Sequence, residues 1–325
     1  MNRRVGLLCV FFTTSWAMAA GQAGPQGQQG QQGLQAQQGQ QGQQQPPQGR
    51  GRGQADPRTA GGGPCSANPY NCIDTPNPLP RVDTVWLEEM TWMDVRDAMK
   101  AGRTTMIIAT GGVEPNGPWL ALGKHNYVLR ANCDAIARKL GTALCAPIVP
   151  FVPEGNHEPK SGHMTTVGTI SVTEETFQAL LTDMVKSFKA HGFEHIMLIG
   201  DSGGNTRGMA AVASKLNAEW GGRPLVAHIP EHYTYGQVSK EMASRGLVKE
   251  GQGDGLHDDP IITMNMMVTD PKTVRWEERV KAGKAAINGV SIADLAKALE
   301  IGRAIVEYRA TITADAIRKA IAAAK

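Results

Sequence analysis

The chain has 325 residues, room for one large domain or two small ones, and its 41% hydrophobic and 19% charged content is that of a globular protein. A net charge of +3, with basic residues scattered and not interleaved with aromatics, gives no reason to expect nucleic acid as a partner. No stretch after the N-terminus approaches the length of a stable membrane span.

Residues 1–20 read as a signal peptide. Arg3 and Arg4 precede the apolar run VGLLCVFF, and Ala17-Met18-Ala19 is an A-x-A cleavage site. The expected location is therefore exported, periplasmic or secreted. Residues 21–77 follow as a disordered Gln/Gly-rich tether. Gly recurs every third residue from Gly21 to Gly42, with Ala36 as the break, but too little Pro is present for a collagen triple helix. Cys65 and Cys72 lie at the end of this tether, where an oxidising compartment favours a local disulfide. Cys133 and Cys145 fall in a helical and a strand pattern and read as buried small hydrophobes rather than as catalytic groups.

The globular domain is expected over residues 78–325. VDTVWLEEM has strand character; TWMDVRDAMKAG reads as a helix capped by Thr91 and closed by Gly102. TTMIIAT is a strand, NYVLRANCDAIARKLG a helix, and ALCAPIVP a strand. Thr173 caps a helix whose apolar stripe is Phe177, Leu180, Leu181, Met184, Val185 and Phe188. HIMLIG, TRGMAAVASKLNAEW and PLVAHIP give strand, helix, strand, and two helices close the chain. This alternation predicts an α/β fold: one layered sandwich domain with a largely parallel sheet flanked by helices.

In such sheets ligands bind beyond the carboxyl ends of the strands. The loops expected there carry Glu114; Glu154, His157, Glu158 and His163; Asp201 and Ser202; Glu231 and His232; and Asp254, His257, Asp258 and Asp259. Carboxylates and imidazoles gathered along one edge suit a divalent metal or an acid/base pocket.

The run GGVEPNGPWLALGKHN, residues 111–126, resembles the creatininase (creatinine amidohydrolase) family, whose corresponding loop reads roughly G-x-x-E-Q-H-G-P-H-L-P-L-G-T-D. The stretch SGHMTTVGTISV, the run IGDSGGN and the segment GLHDDPIITMNMMVTDP are similar to three further family segments in the same order. The resemblance implies a creatininase-like fold and a metal-dependent amidohydrolase, with Zn or Mn as the divalent ion, that splits a C–N bond in a small, often cyclic, amide. It also implies a small-molecule substrate and a homo-oligomer, often a hexamer in the family.

Glu114 falls on the family's metal-binding Glu, but Asn116 replaces a His, His125 stands where a bridging Asp is usual, and Ser202 replaces a metal-binding His beside Asp201. An imidazole cannot bridge two ions as a carboxylate does, so one metal, or two unbridged metals, is expected. The expected ligands are Glu114, His125, Asp201 and Asp259, with His257 moving protons and Asp258 beside it in the catalytic loop. Two other readings fit the residues. Ser202, His257 and Asp254 echo the GDS and D-x-x-H blocks of SGNH esterases, which implies a serine hydrolase. The altered ligand positions also fit a non-catalytic binding protein.

Overall fold

A computed structural model describes residues 64–251, 253 and 255–324. The expected signal peptide, most of the tether, and Asp254 lie outside these residues. The described chain divides into two compact units, one ending at Thr75 and one starting at Pro76. In the first, Cys65 and Cys72 form a disulfide around a short 3-10 turn, Pro69–Asn71, whose cap is Asn68.

The second unit begins with a bridge rather than a strand. VDTVWLEEM pairs with the sheet only at Trp86, opposite Cys145, and then turns into a 3-10 helix, Leu87–Glu89. Helix α1 (Trp92–Lys100) starts at Thr91 with a full capping box: Asp94 N–H donates to Thr91 Oγ1 and Thr91 N–H donates to Asp94. Next come β1 (Thr105–Thr110), α2 (Lys124–Leu140), β2 (Ala143–Cys145), α3 (Glu174–Ala190), β3 (His195–Gly200), α4 (Thr206–Trp220) and β4 (Leu225–His228). Four more helices follow, α5 (Tyr235–Ser244), α6 (Pro260–Thr269), α7 (Trp276–Lys281) and α8 (Leu295–Ala323), with a small antiparallel pair, β5 (Ala286–Ile287) and β6 (Val290–Ser291), before α8.

The four-stranded sheet runs β2-β1-β3-β4 and is parallel throughout. Its pleat assigns the two faces. Met106 and Ile108 of β1, with Ile196 and Leu198 of β3, pack against Phe177, Leu181 and Val185 of α3 and Val212 and Leu216 of α4. Ile107, Ala109, Met197 and Ile199 point the other way, onto Leu129, Cys133 and Ile136 of α2 and Ile317 of α8. On that face Cys133 and Cys145 are joined as a disulfide that ties α2 to β2, which goes beyond the burial expected of them. On α3, Leu180 is exposed, so the buried stripe is narrower than its spacing predicts.

The two helices expected at the end are one 29-residue helix, α8. Nothing in the intervening TIT, residues 311–313, breaks it, because no Gly or Pro falls there. Its N-terminal half packs with α5 and α6 into a further apolar cluster around Met264, Met267, Ile301 and Ile305. Gly302 makes that approach close. A Cβ there would lie 2.3 Å from the Met264 carbonyl oxygen and 2.7 Å from Val268 Cγ2. Gly→Ala inside a helix ordinarily stabilises by about 1 kcal/mol. Gly302→Ala is expected to do the opposite, lowering unfolding free energy by about 1–3 kcal/mol in urea titration, because the backbone of α6 cannot move aside.

Candidate active site

The site forms beyond the carboxyl ends of β1 and β3. After Thr110 the chain turns through Gly111 and Gly112 at places where a side chain has no room. A Cβ at Gly111 would meet Asn126 Oδ1 at 2.0 Å, and one at Gly112 would meet Glu154 Oε1 at 2.4 Å. This close passage carries Glu114 into the interior, where its N–H donates to the Leu122 carbonyl. The first turn of α2 brings Lys124 and His125 to it. Lys124 Nζ lies 2.8 Å and His125 Nε2 3.0 Å from Glu114 Oε1.

Asp201 follows β3 directly, with its N–H on the Thr110 carbonyl. It is fully buried and heavily bonded: His125 Nδ1 at 2.8 Å, the Tyr235 hydroxyl at 2.8 Å and Arg309 Nη2 at 2.7 Å. His125 therefore lies between two carboxylates with both ring nitrogens engaged. Burial alone would lower its pKa, but the hydrogen bonds of Asp201 and Glu114 outweigh it and raise it. Burial likewise pushes the Asp201 carboxyl up, and the charges of Arg309 and His125 reverse this and hold it well below the usual range.

The segment after β2 contributes Glu154 and His163. His163 Nδ1 is 2.9 Å from Glu114 Oε2 and 2.9 Å from Glu154 Oε2. Glu154 Oε1 is buried without a hydrogen-bond partner among the described residues. Burial raises the Glu154 carboxyl to about 7; the His163 hydrogen bond opposes this and the negative charge of Glu114 adds to it. Glu114 goes the other way. Its burial penalty is overcome by the hydrogen bond and charge of His125 and by Lys124, so it stays ionised far below the normal range. Two neighbouring carboxyls are thus driven apart, one a fixed anion and one that titrates near neutrality.

His257 completes the cluster from the loop before α6, in a left-handed backbone conformation with φ 56°. Its Nδ1 is 3.2 Å from Glu114 Oε1 and 3.2 Å from Asn116 Oδ1. Burial and the nearby Lys124 charge lower it to about 4 against the pull of Glu114, so it is neutral at pH 7 and keeps a lone pair. Ligand atoms of Glu114, His163 and His257 all lie within 4.8 Å of one another. A carboxylate with two imidazoles, beside a carboxylate oxygen that is buried and unpaired, is a donor set that fits zinc or manganese. A cavity of about 590 Å³ adjoins it, lined in part by Tyr235, Ser239, Lys249, His257 and Pro260.

Of the residues singled out from the sequence, Glu114, His125, Glu154, His163, Asp201 and His257 converge. Asp259 accepts the Ile262 N–H and caps α6. Asp258 is buried and its oxygens are taken up by packing partners. Arg279 grips both its oxygens, at 3.1 and 2.9 Å, and Thr263 donates to Oδ1. His257 directs its Nδ1 to Glu114 and Asn116 rather than to Ser202. His157 Nε2 donates to the Ser171 carbonyl and so braces its own loop. Lys124, Tyr235 and Arg309 were not anticipated. Lys124 adjoins His125 in GKHN, which is the one local hint.

Fold and site together define a creatininase-type α/β protein, and the chain belongs to the creatininase family. The family's model, creatinine amidohydrolase, matches residues 88–317. Solved structures share the fold. A crystal structure of creatinine amidohydrolase superposes with a TM-score of 0.52 at 20% identity, covering 73% of this chain and 98% of that one. A manganese creatininase and a mutant creatininase of Zn-Zn type give the same TM-score of 0.52, identity of 20% and coverages of 73% and 98%. No curated protein sequence matches the chain. Among the described residues no helix is long and apolar enough to cross a membrane.

Proposed function

We propose that this is an exported, metal-dependent amidohydrolase that opens a C–N bond in a small, cyclic amide, working as a homo-oligomer. The observation that carries the reading is the Glu114–His163–Glu154–His257 cluster with its unpaired Glu154 oxygen. Glu114, His163 and His257 would hold the ion, zinc or manganese. When bound, it supplies a Lewis acid that polarises the amide carbonyl and makes water more acidic.

The remaining chemistry belongs to the chain. Glu154, titrating near neutrality, takes a proton from the attacking water and returns it to the departing nitrogen. Asn116, whose amide donates to the Glu114 and Ala121 carbonyls, presents its oxygen to His257 and fixes that ring. Arg309 and Tyr235 hold Asp201, Asp201 holds His125, and His125 holds Glu114 in one orientation.

Glu154→Gln preserves shape and removes the base. It is expected to lower kcat/KM by about 100-fold on whichever lactam, cyclic ureide or formamide the wild type turns over, with metal content unchanged. Full activity in excess chelator, or a Glu154→Gln variant as fast as wild type, would sink the proposal.

A further inference from the structure

The centre holds a positive charge of its own, on a side chain that takes no part in the chemistry above. Lys124 is 1% exposed, and its Nζ sits 2.8 Å from Glu114 Oε1. The loop fixes it there, because Glu114 and Lys124 anchor the two ends of a tight turn: Glu114 N–H donates to the Leu122 carbonyl and Lys124 N–H to the Ala121 carbonyl. The same Oε1 receives His125 Nε2 at 3.0 Å. His125 spends its other nitrogen on Asp201, and Asp201 has its oxygens taken by Tyr235, Arg309 and His125. Lys124, His125 and Asp201 are thus already paired on this side of Glu114.

The opposite side differs. Glu114 Oε2 faces His163, which also meets Glu154 Oε2, and Glu154 Oε1 is unpaired. A divalent cation approaching between Lys124 and His125 would meet a buried ammonium and would have to break the His125–Asp201 bond. Approaching Oε2, it meets two carboxylates and the half-exposed ring of His163, while His257 reaches Glu114 at Oε1 and lies within ligand distance of both.

We infer that Lys124 is a resident cation of the centre: its ammonium closes the side of Glu114 that holds His125 and Asp201 to metal, and limits the chain to one divalent ion, held by Glu114, His163 and His257. This rests on the metal-dependent reading above, and it makes Lys124 a positioning residue that sets how much metal the chain takes.

The test counts ions. Native mass spectrometry and calorimetric titration with Zn²⁺, and separately with Mn²⁺, are run on the whole mature chain as wild type, Lys124→Arg and Lys124→Met. One ion per chain is expected for wild type and Lys124→Arg. Lys124→Met is expected to take a second ion, or to bind the first at least about tenfold more tightly. Two ions in the wild type overturn the inference, as does a Lys124→Met variant with wild-type count and affinity. Should Lys124→Met not fold by circular dichroism, Lys124→Gln, which keeps a donor to Glu114, takes its place with the same expectations. If the wild type binds no ion and Lys124→Met binds one, the metal-dependent reading fails and the one-ion limit of the wild type fails with it. No ion in either overturns both.

Discussion

Arg309→Leu is expected to cost about 3–5 kcal/mol of folding stability, because it strips a buried carboxylate of its guanidinium partner. Arg309 lies in the middle of α8 and is fully buried, with Nη2 on Asp201 Oδ1 at 2.7 Å and on the His232 carbonyl at 3.0 Å. Without it, Asp201 stays in the interior with His125 as its remaining cationic partner among the described residues. The midpoint of thermal unfolding should fall on the order of 10 °C. Pairing the change with Asp201→Asn should restore part of the loss, since the unpaired charge is then gone. A single variant within about 1 kcal/mol of wild type in urea unfolding would show that this ion pair does not hold the centre.

Glu114→Gln is expected to be the most damaging change to function, lowering kcat/KM on the order of 10³-fold and stripping the metal from the purified protein. It removes the carboxylate on which Lys124, His125, His163 and His257 all converge. It should also alter acid stability. The folded pKa values of Glu114 and Asp201 are depressed below their ordinary 4.5 and 3.8. Their stabilisation is therefore complete above about pH 4.5 and is lost as pH falls towards the folded values. Acid unfolding followed by circular dichroism should thus be shallower below about pH 4.5 in Glu114→Gln than in wild type. Equal slopes would mean that Glu114 is not held as an anion. Retained metal and retained activity would mean that the centre lies elsewhere.

Much of this architecture was readable because it is local. The apolar run of TTMIIAT, the Thr91 and Thr173 caps and the α4 periodicity each act within a few residues, and each forms the element its pattern predicts. Glu114 and Asp201 were readable for the same reason, as the first carboxylates after two parallel strands. The failures have a common cause as well. VDTVWLEEM has strand composition but only Trp86 finds a partner, and no local pattern reports a missing neighbour. Lys124 and Arg309 look like solvated charges on helices, yet their partners are 10 and 108 residues away. A buried ion pair cannot be seen from either of its ends. Asp258 has a distant partner too: beside His257 it looks reactive, and Arg279, 21 residues on, donates to its carboxylate.

The unbroken helix α8 also sets an order of events. Glu114, His125, Glu154, His163, Asp201, Tyr235 and His257 all precede it in the chain, while the guanidinium that meets Asp201 is carried midway along it. On a ribosome, every piece of the pocket emerges before the residue that neutralises its deepest anion. Until Arg309 has left the exit tunnel, Asp201 has no guanidinium to meet. Completion of the cluster is thereby tied to α8, and a chain cut short before Arg309 would carry the family's motifs without the guanidinium that meets Asp201.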